Sequence, residues 1–343
     1  MSQEIKVALK LNMYGHALDT SFEAFQRLAL QAEAVGFDGV FAVDHLHFPA
    51  ERIAGYTQED PTKPYFLETW TALAALAAVT TRVRLGPQVS PLTFRHPAML
   101  AKMGNTIDHI SRGRLILQLG TGWQKEEHQA YGLPFDERFA PRYQRLLEGV
   151  EVIKRLWTEA GPVGYQGQHF TLEGASFWPK PVQRPHPPIW FGGSGRKMRA
   201  VVAQYGDGWC PAMPHHAGVG LEAYQEGLRE IRELAQAHGR DPDGITPGIL
   251  YPTAIHGDRA KAAEMASSML RRADFAHFSL EGLRSSGIVL YGNPDDCVRS
   301  LEAYVKAGVR YFTLNFVPFS DLDAAMRGME LYATRVLPRV SPV

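Results

Sequence analysis

Asp44 and His45 stand side by side directly after an apolar run, Gly39 to Val43, that reads as a strand. A carboxylate next to an imidazole can tune a general acid or base near neutral pH, so this pair is a candidate for moving protons. Asp44 could instead only cap the turn that follows. The spacing His45-x-His47 also puts two imidazoles on one side of an extended segment, as some metal sites do. No set of Lys, His and Asp partners stands at the other strand ends, and His215-His216 fall in a Pro-flanked loop, so a metal centre is not expected.

Two glycine clusters point to a second chemistry. Gly192-Gly193-Ser194-Gly195 follows the short run Ile189 to Phe191 and precedes a helical pattern through Met198, Val201, Val202 and Tyr205. Unpaired N–H groups at a helix start attract anions, Arg196 and Lys197 add positive charge, and a phosphate is the natural guest. The alternative is a Gly-rich turn with Ser194 as the helix cap. Gly120-Thr121-Gly122 ends the core run that starts at Leu115, and could offer further N–H groups to the same ligand or simply make a tight strand-to-helix turn. Trp123 and an acidic stretch, Glu126-Glu127-His128, come next.

Such residues need a frame, and the hydrophobic pattern supplies one. Apolar runs at Ile5–Leu11, Gly39–Val43, Val83–Val89, Leu115 onward, Ile189–Phe191, Gly208–Cys210, Gly248–Ile255 and Arg310–Asn315 alternate with helical patterns. Thr20-x-x-Glu23 reads as a capping box, Pro97 and Asn293-Pro294 as helix starts, and Leu322 to Val336 as a last helix. Eight strand–helix units predict a (β/α)8 TIM barrel, with a hairpin inserted between strands 4 and 5 around Tyr165 to Phe170. Barrel ligands sit at the C-terminal strand ends, which singles out Asn12, Asp44 to His47, Gln88, Gly120 to Trp123, Gly192 to Gly195, Cys210 and Asn315.

The 343 residues balance 36 Lys and Arg against 36 Asp and Glu, so no overall field recruits nucleic acid or an anionic membrane. Cys210 and Cys297 stand alone, without disulfide or zinc spacing. The N-terminus lacks a signal-peptide pattern and the most apolar helix pattern, Thr71 to Val79, is too short for a bilayer; a cytoplasmic protein is expected.

Asp-His after strand two, Leu85-Gly86-Pro87-Gln88-Val89-Ser90-Pro91, Phe94-Arg95-His96-Pro97, Ala101-Lys102-Met103, Ser111-Arg112-Gly113-Arg114, Gly-Thr-Gly-Trp at 120–123, Pro185-His186-Pro187-Pro188-Ile189 and Asp207-Gly208-Trp209 together give a strong likeness. The chain resembles the bacterial luciferase-like superfamily over nearly its whole length, as a single domain spanning 1–343. Members are barrels that use FMN or coenzyme F420, and these motifs look most like the F420-dependent branch. The resemblance implies that Gly192 and Gly193 hold the cofactor phosphate, with Gly120 and Gly122 beside it and Asn12, Asp44, Thr121, Ser194 and Gly195 around the cofactor. It places His45 near the ring and a non-proline cis peptide at Gln88–Val89. F420-dependent sugar-phosphate dehydrogenases carry a catalytic Glu where this chain has Trp123, which argues against a sugar phosphate here.

The expected activity is hydride transfer between F420 and a small organic substrate. His45 and Asp44 would move the proton, and Trp123 with Phe66 or Tyr65 would wall the substrate. The alternatives are an FMN-dependent monooxygenase using reduced flavin and O2, a flavin-binding protein without turnover, and a metal-dependent barrel hydrolase. The resemblance further implies a homodimer.

Overall fold

Short apolar strands alternate with amphipathic helices in the computed structural model, which describes residues 4–12, 21–49, 66–212, 220–271, 275–285, 287–318 and 321–340. In chain order these are β1 (Lys6–Leu11), α1 (Phe22–Ala34), β2 (Gly39–Ala42), α2 (Thr69–Val79), β3 (Arg84–Pro87), β4 (Ser90–Pro91), α3 (Pro97–Ile110), β5 (Leu117–Gly120), α4 (Lys125–Ala130) and α5 (Phe139–Thr158). There follow β6 (Val163–Gln166), β7 (Thr171–Ala175), β8 (Ile189–Phe191), α6 (Arg196–Tyr205), β9 (Gly208–Trp209), α7 (Leu221–Ala237) and β10 (Thr246–Ile255). The chain continues with α8 (Arg259–Ser267), α9 (Leu280–Ser285), β11 (Leu290–Gly292), α10 (Pro294–Lys306), β12 (Tyr311–Phe316) and α11 (Leu322–Leu331).

The main sheet runs β3-β2-β1-β12-β10-β9-β8-β5-β4, and its ladders are parallel. It closes on itself. Leu85 bridges Leu115, and the Ile116 N–H donates to the Leu85 carbonyl at 2.9 Å. β3 and β4 are two halves of one stave, separated by Gln88–Val89, whose peptide bond is cis. With those halves joined, the closed sheet is the eight-stranded barrel that the pattern predicts. Closure demands glycine at position 86: a Cβ there would lie 1.9 Å from the Ile116 carbonyl oxygen.

The strand runs are apolar throughout because both faces are covered, as in parallel sheets generally. Val7, Leu9 and Leu11 pack outward in the layer shared with the helices, whereas Ala8, Phe41, Ile116, Trp190, Cys210, Leu250 and Tyr311 fill the lumen. The antiparallel hairpin β6–β7 falls between the fourth and fifth staves, β5 and β8, as expected.

Local signals fare unevenly. The Asn293 cap forms a complete capping box with Asp296, and α3 starts at Pro97. The first helix is capped by Ser21, whose hydroxyl accepts from the Ala24 N–H, not by the Thr20-x-x-Glu23 box; Thr20 itself is outside the described residues. The last helix narrows the prediction too, since α11 ends at Leu331 and the chain continues to Val336 in a wider π-type turn. β11, an extra parallel strand on the outer end of β10, is too short to leave a periodic signal. The loop from Ala50 onward, Tyr65 and His215-His216 also lie outside the described residues. Among the described residues no helix is long and apolar enough to cross a membrane.

Candidate active site

Parallel strands deliver their C-terminal ends to one face of the barrel, and the residues that follow them form the site. β2 leads into Asp44 and His45, β5 into Gly120 to Trp123, and β8 into Gly192 to Gly195.

Asp44 does not face His45. Its carboxylate is almost fully buried and is gripped from two sides by the Arg95 guanidinium, at 2.7 and 3.1 Å, with the Ser90 hydroxyl donating at 2.6 Å and the Trp70 indole N–H at 3.2 Å. Arg95 also reaches Glu68, whose own carboxylate caps α2. Burial disfavours the Glu68 charge, but hydrogen bonds from Thr71 and the nearby Arg95 outweigh it and hold that carboxyl below its ordinary range. The cluster ties the end of β2 to β4 and α2. Asp44 therefore anchors the rim instead of pairing with the imidazole.

The partner of His45 is Glu127, from α4, a residue the sequence reading left in an undifferentiated acidic stretch. Glu127 Oε2 lies 2.9 Å from His45 Nδ1, while Oε1 accepts from the backbone N–H groups of Leu46 and, at 3.1 Å, His47. Its side chain is 1% exposed. Burial pushes this carboxyl up, yet the bond to His45, the imidazole's charge and the two backbone donors prevail, so it sits below 4.5. A carboxyl depressed on folding stabilises the native state fully above its unfolded value and loses that contribution as pH falls through the lower folded one. Urea unfolding is accordingly expected to weaken more steeply below about pH 4.5 in the wild type than in Glu127→Gln.

Around His45 stands an aromatic wall. Phe48 lies 4.5 Å from the imidazole and Trp123 meets it edge-on at 5.6 Å, while Phe48 touches Phe66 at 5.5 Å. Trp123 remains 49% exposed, an apolar surface turned outward beside a polar pair. His128, next to Glu127, is spent structurally: its ring nitrogens bond the Gln124 carbonyl at 2.6 Å and the Thr93 hydroxyl at 2.7 Å.

Further round the rim, beyond Trp123, the glycines make room. A Cβ at Gly120 would lie 2.7 Å from Val89 Cγ2 and one at Gly192 would lie 3.1 Å from Val89 Cγ1, so the Val89 side chain sits between the ends of β5 and β8. Gly122 and Gly193 have φ values of +75° and +84°, where other residues are strained. Gly195, not Ser194, is the N-cap of α6, and no side chain caps that helix, so the alternative of a Ser194 cap does not hold. Uncapped first-turn N–H groups suit an anion. Thr121 makes only a 3.4 Å contact to the Gly122 carbonyl.

Two cations frame this gap. Arg142 of α5 donates to the Gly122 carbonyl and stacks over Phe135 at 4.7 Å, and Lys197 of α6 lies 5.6 Å from the Tyr143 ring. Arg142 escaped the sequence reading because its role depends on how α5 leans over the loop after β5.

Beneath the rim, the Asn12 amide donates to Asn315 Oδ1 at 2.8 Å across adjacent strands. Gln88 Nε2 reaches Cys210 Sγ at 3.2 Å and Thr313 Oγ1 at 3.3 Å. Burial pushes the Cys210 thiol up to about 12, which makes it inert as a nucleophile. The Gln88 oxygen and both amide atoms of Gln118 are buried without a protein partner. Glycines that leave space, an uncapped helix start, flanking cations and orphaned amides fit a planar cofactor that carries a phosphate.

The chain belongs to the luciferase-like monooxygenase family, whose profile matches residues 7–289. It is 35% identical over 249 residues to the pyrimidine monooxygenase RutA of Methylobacterium radiotolerans, a match that covers 72% of this chain and 60% of that protein's length. Among solved structures, monooxygenase RslO1 from Streptomyces bottropensis superposes with a TM-score of 0.78 at 26% identity, covering 98% of this chain and 100% of that one. An F420-dependent secondary alcohol dehydrogenase, in complex with an F420-acetone adduct, superposes with a TM-score of 0.81 at 19% identity, covering 98% and 99%.

Proposed function

We propose that this chain is an FMN-dependent monooxygenase acting on a small organic substrate, as a cytoplasmic homodimer. This replaces the F420 hydride transfer expected from the sequence. RutA, 35% identical over the matched segment, and RslO1, 26% identical, carry monooxygenase names, whereas the likeness to the F420-dependent structure, at 19% identity, is one of fold. A deazaflavin carries hydride but reacts poorly with O2, so a monooxygenase reading selects FMN.

The observation that carries the proposal is the shared rim: an uncapped, glycine-flanked helix start on one side and a His45–Glu127 pair within an aromatic wall on the other. In this reading the α6 N–H groups, with Lys197, take the phosphate, and Val89 with Gly120 and Gly192 forms the seat for the ring. Reduced flavin, when bound, supplies two electrons to O2, so that one oxygen atom enters the substrate and the other leaves as water. Glu127 holds His45 Nδ1, which leaves Nε2 as the atom that exchanges a proton with the reacting centre. Trp123, Phe48 and Phe66 line the substrate side and exclude water.

The test is turnover under 18O2 with reduced FMN supplied by a flavin reductase. One labelled oxygen atom per product molecule is expected. An unlabelled product formed with F420 would restore the hydride-transfer reading.

A further inference from the structure

Among the described residues the lumen just below the rim is polar, and the first strand brings a lysine to it. Along β1, Val7, Leu9 and Leu11 belong to the outer core whereas Ala8 belongs to the cluster inside the barrel. Strand side chains alternate, so Lys10 projects into the lumen with Ala8. It is only partly buried, on the side toward the mouth. Its positive charge acts on the Cys210 thiol, which directly follows β9 three staves round the barrel from β1, in keeping with the inward register of the strand.

The neighbours at this depth are Gln88, Gln118, Cys210 and Thr313, all fully or almost fully buried, and Lys10 is the one charged member of the set. Gly120 and Gly192, two residues beyond Gln118 and Trp190 on their strands, leave the room above this layer that the Val89 side chain takes up. A cation in a largely water-excluded barrel acts over longer range than one on the surface. Here it lies under the seat that the preceding reading gives to the flavin ring.

Resting on that reading, we infer that Lys10 sets the redox balance of the bound cofactor by stabilising the negative charge that the ring acquires on reduction. Uptake of two electrons and one proton turns the neutral oxidised ring into an anionic dihydro form with its charge delocalised over the pyrimidine end. An ammonium beneath the ring favours that form over the oxidised one, and this differential binding is what a potential measures. The consequence for the reaction is tighter retention of the reduced cofactor, the form that meets O2. Neutral hydrogen-bonding residues at this depth, Gln88 and Gln118, would not discriminate between the two forms to the same degree.

Lys10→Met keeps the length of the side chain and removes the charge; Lys10→Arg restores it. The dissociation constants of oxidised and reduced FMN, the latter taken anaerobically, and the midpoint potential of the bound couple are to be measured on wild type and both variants. In Lys10→Met the reduced form is expected to bind about tenfold more weakly relative to the oxidised one, which for a two-electron couple lowers the midpoint by about 30 mV. Lys10→Arg should return most of the shift. An unchanged ratio in Lys10→Met, including the case in which both forms weaken equally through loss of packing, overturns the inference while leaving the flavin reading intact. Failure of the wild type itself to bind FMN in either form overturns both.

Discussion

Gly193→Asp is expected to raise the dissociation constant for FMN by at least about a hundredfold, some 2.7 kcal/mol, without unfolding the protein. Gly193 has a φ of +84°, and a Cβ there would lie 3.1 Å from Met198 Cγ, the bendable part of a flexible side chain. The backbone cost of a side chain in that conformation is about 1–2 kcal/mol. Part of it is regained in the absence of ligand, because a carboxylate near the uncapped start of α6 interacts favourably with its dipole. The same carboxylate occupies and repels the place of a phosphate. Gly193→Ala carries the strain without the charge and should lose far less affinity. Equilibrium titration followed by flavin fluorescence, with circular dichroism to establish folding, checks the pair.

The second large effect concerns the proton. His45→Ala is expected to lower kcat by about 10²–10⁴-fold while FMN affinity changes only a few-fold, because the imidazole stands among Phe48 and Trp123, away from the α6 start proposed to take the phosphate. Glu127→Ala should combine two losses. The His45 ring is released from its 2.9 Å bond and the N–H groups of Leu46 and His47 lose their shared acceptor, so turnover falls with that of His45→Ala. Stability should drop by about 3 kcal/mol, as when one partner of a buried pair is removed. The double variant should turn over no more slowly than His45→Ala alone, since residues that act as a unit are not additive. Steady-state kinetics and urea unfolding on the three variants separate these effects.

What the sequence made legible follows from periodicity. Leu115 to Gly120 reads as a core strand because its residues are apolar on both faces, and eight such runs suffice to specify the barrel and hence the end at which ligands bind. The glycine clusters were legible for the same reason, since a residue without a side chain at a strand end marks either a turn or a close approach. The cis peptide at Gln88–Val89 came through the family resemblance and is present. The pairings were not legible. His45 and Glu127 stand 82 residues apart, and α4, only six residues long, has too little apolar periodicity to announce which way its carboxylate turns. Asp44 and Arg95 are 51 residues apart, so that adjacency along the chain suggested the wrong partner for His45. FMN and F420 share a phosphate and a ring platform and differ at the reacting ring position, which no strand or helix pattern records.

The most direct test of the account is an anaerobic titration of the protein with reduced FMN and, separately, with reduced F420, followed by absorbance and fluorescence. The account predicts saturation with one FMN per chain and binding of F420 at least tenfold weaker. Tighter binding of F420, or no binding of either, would contradict it.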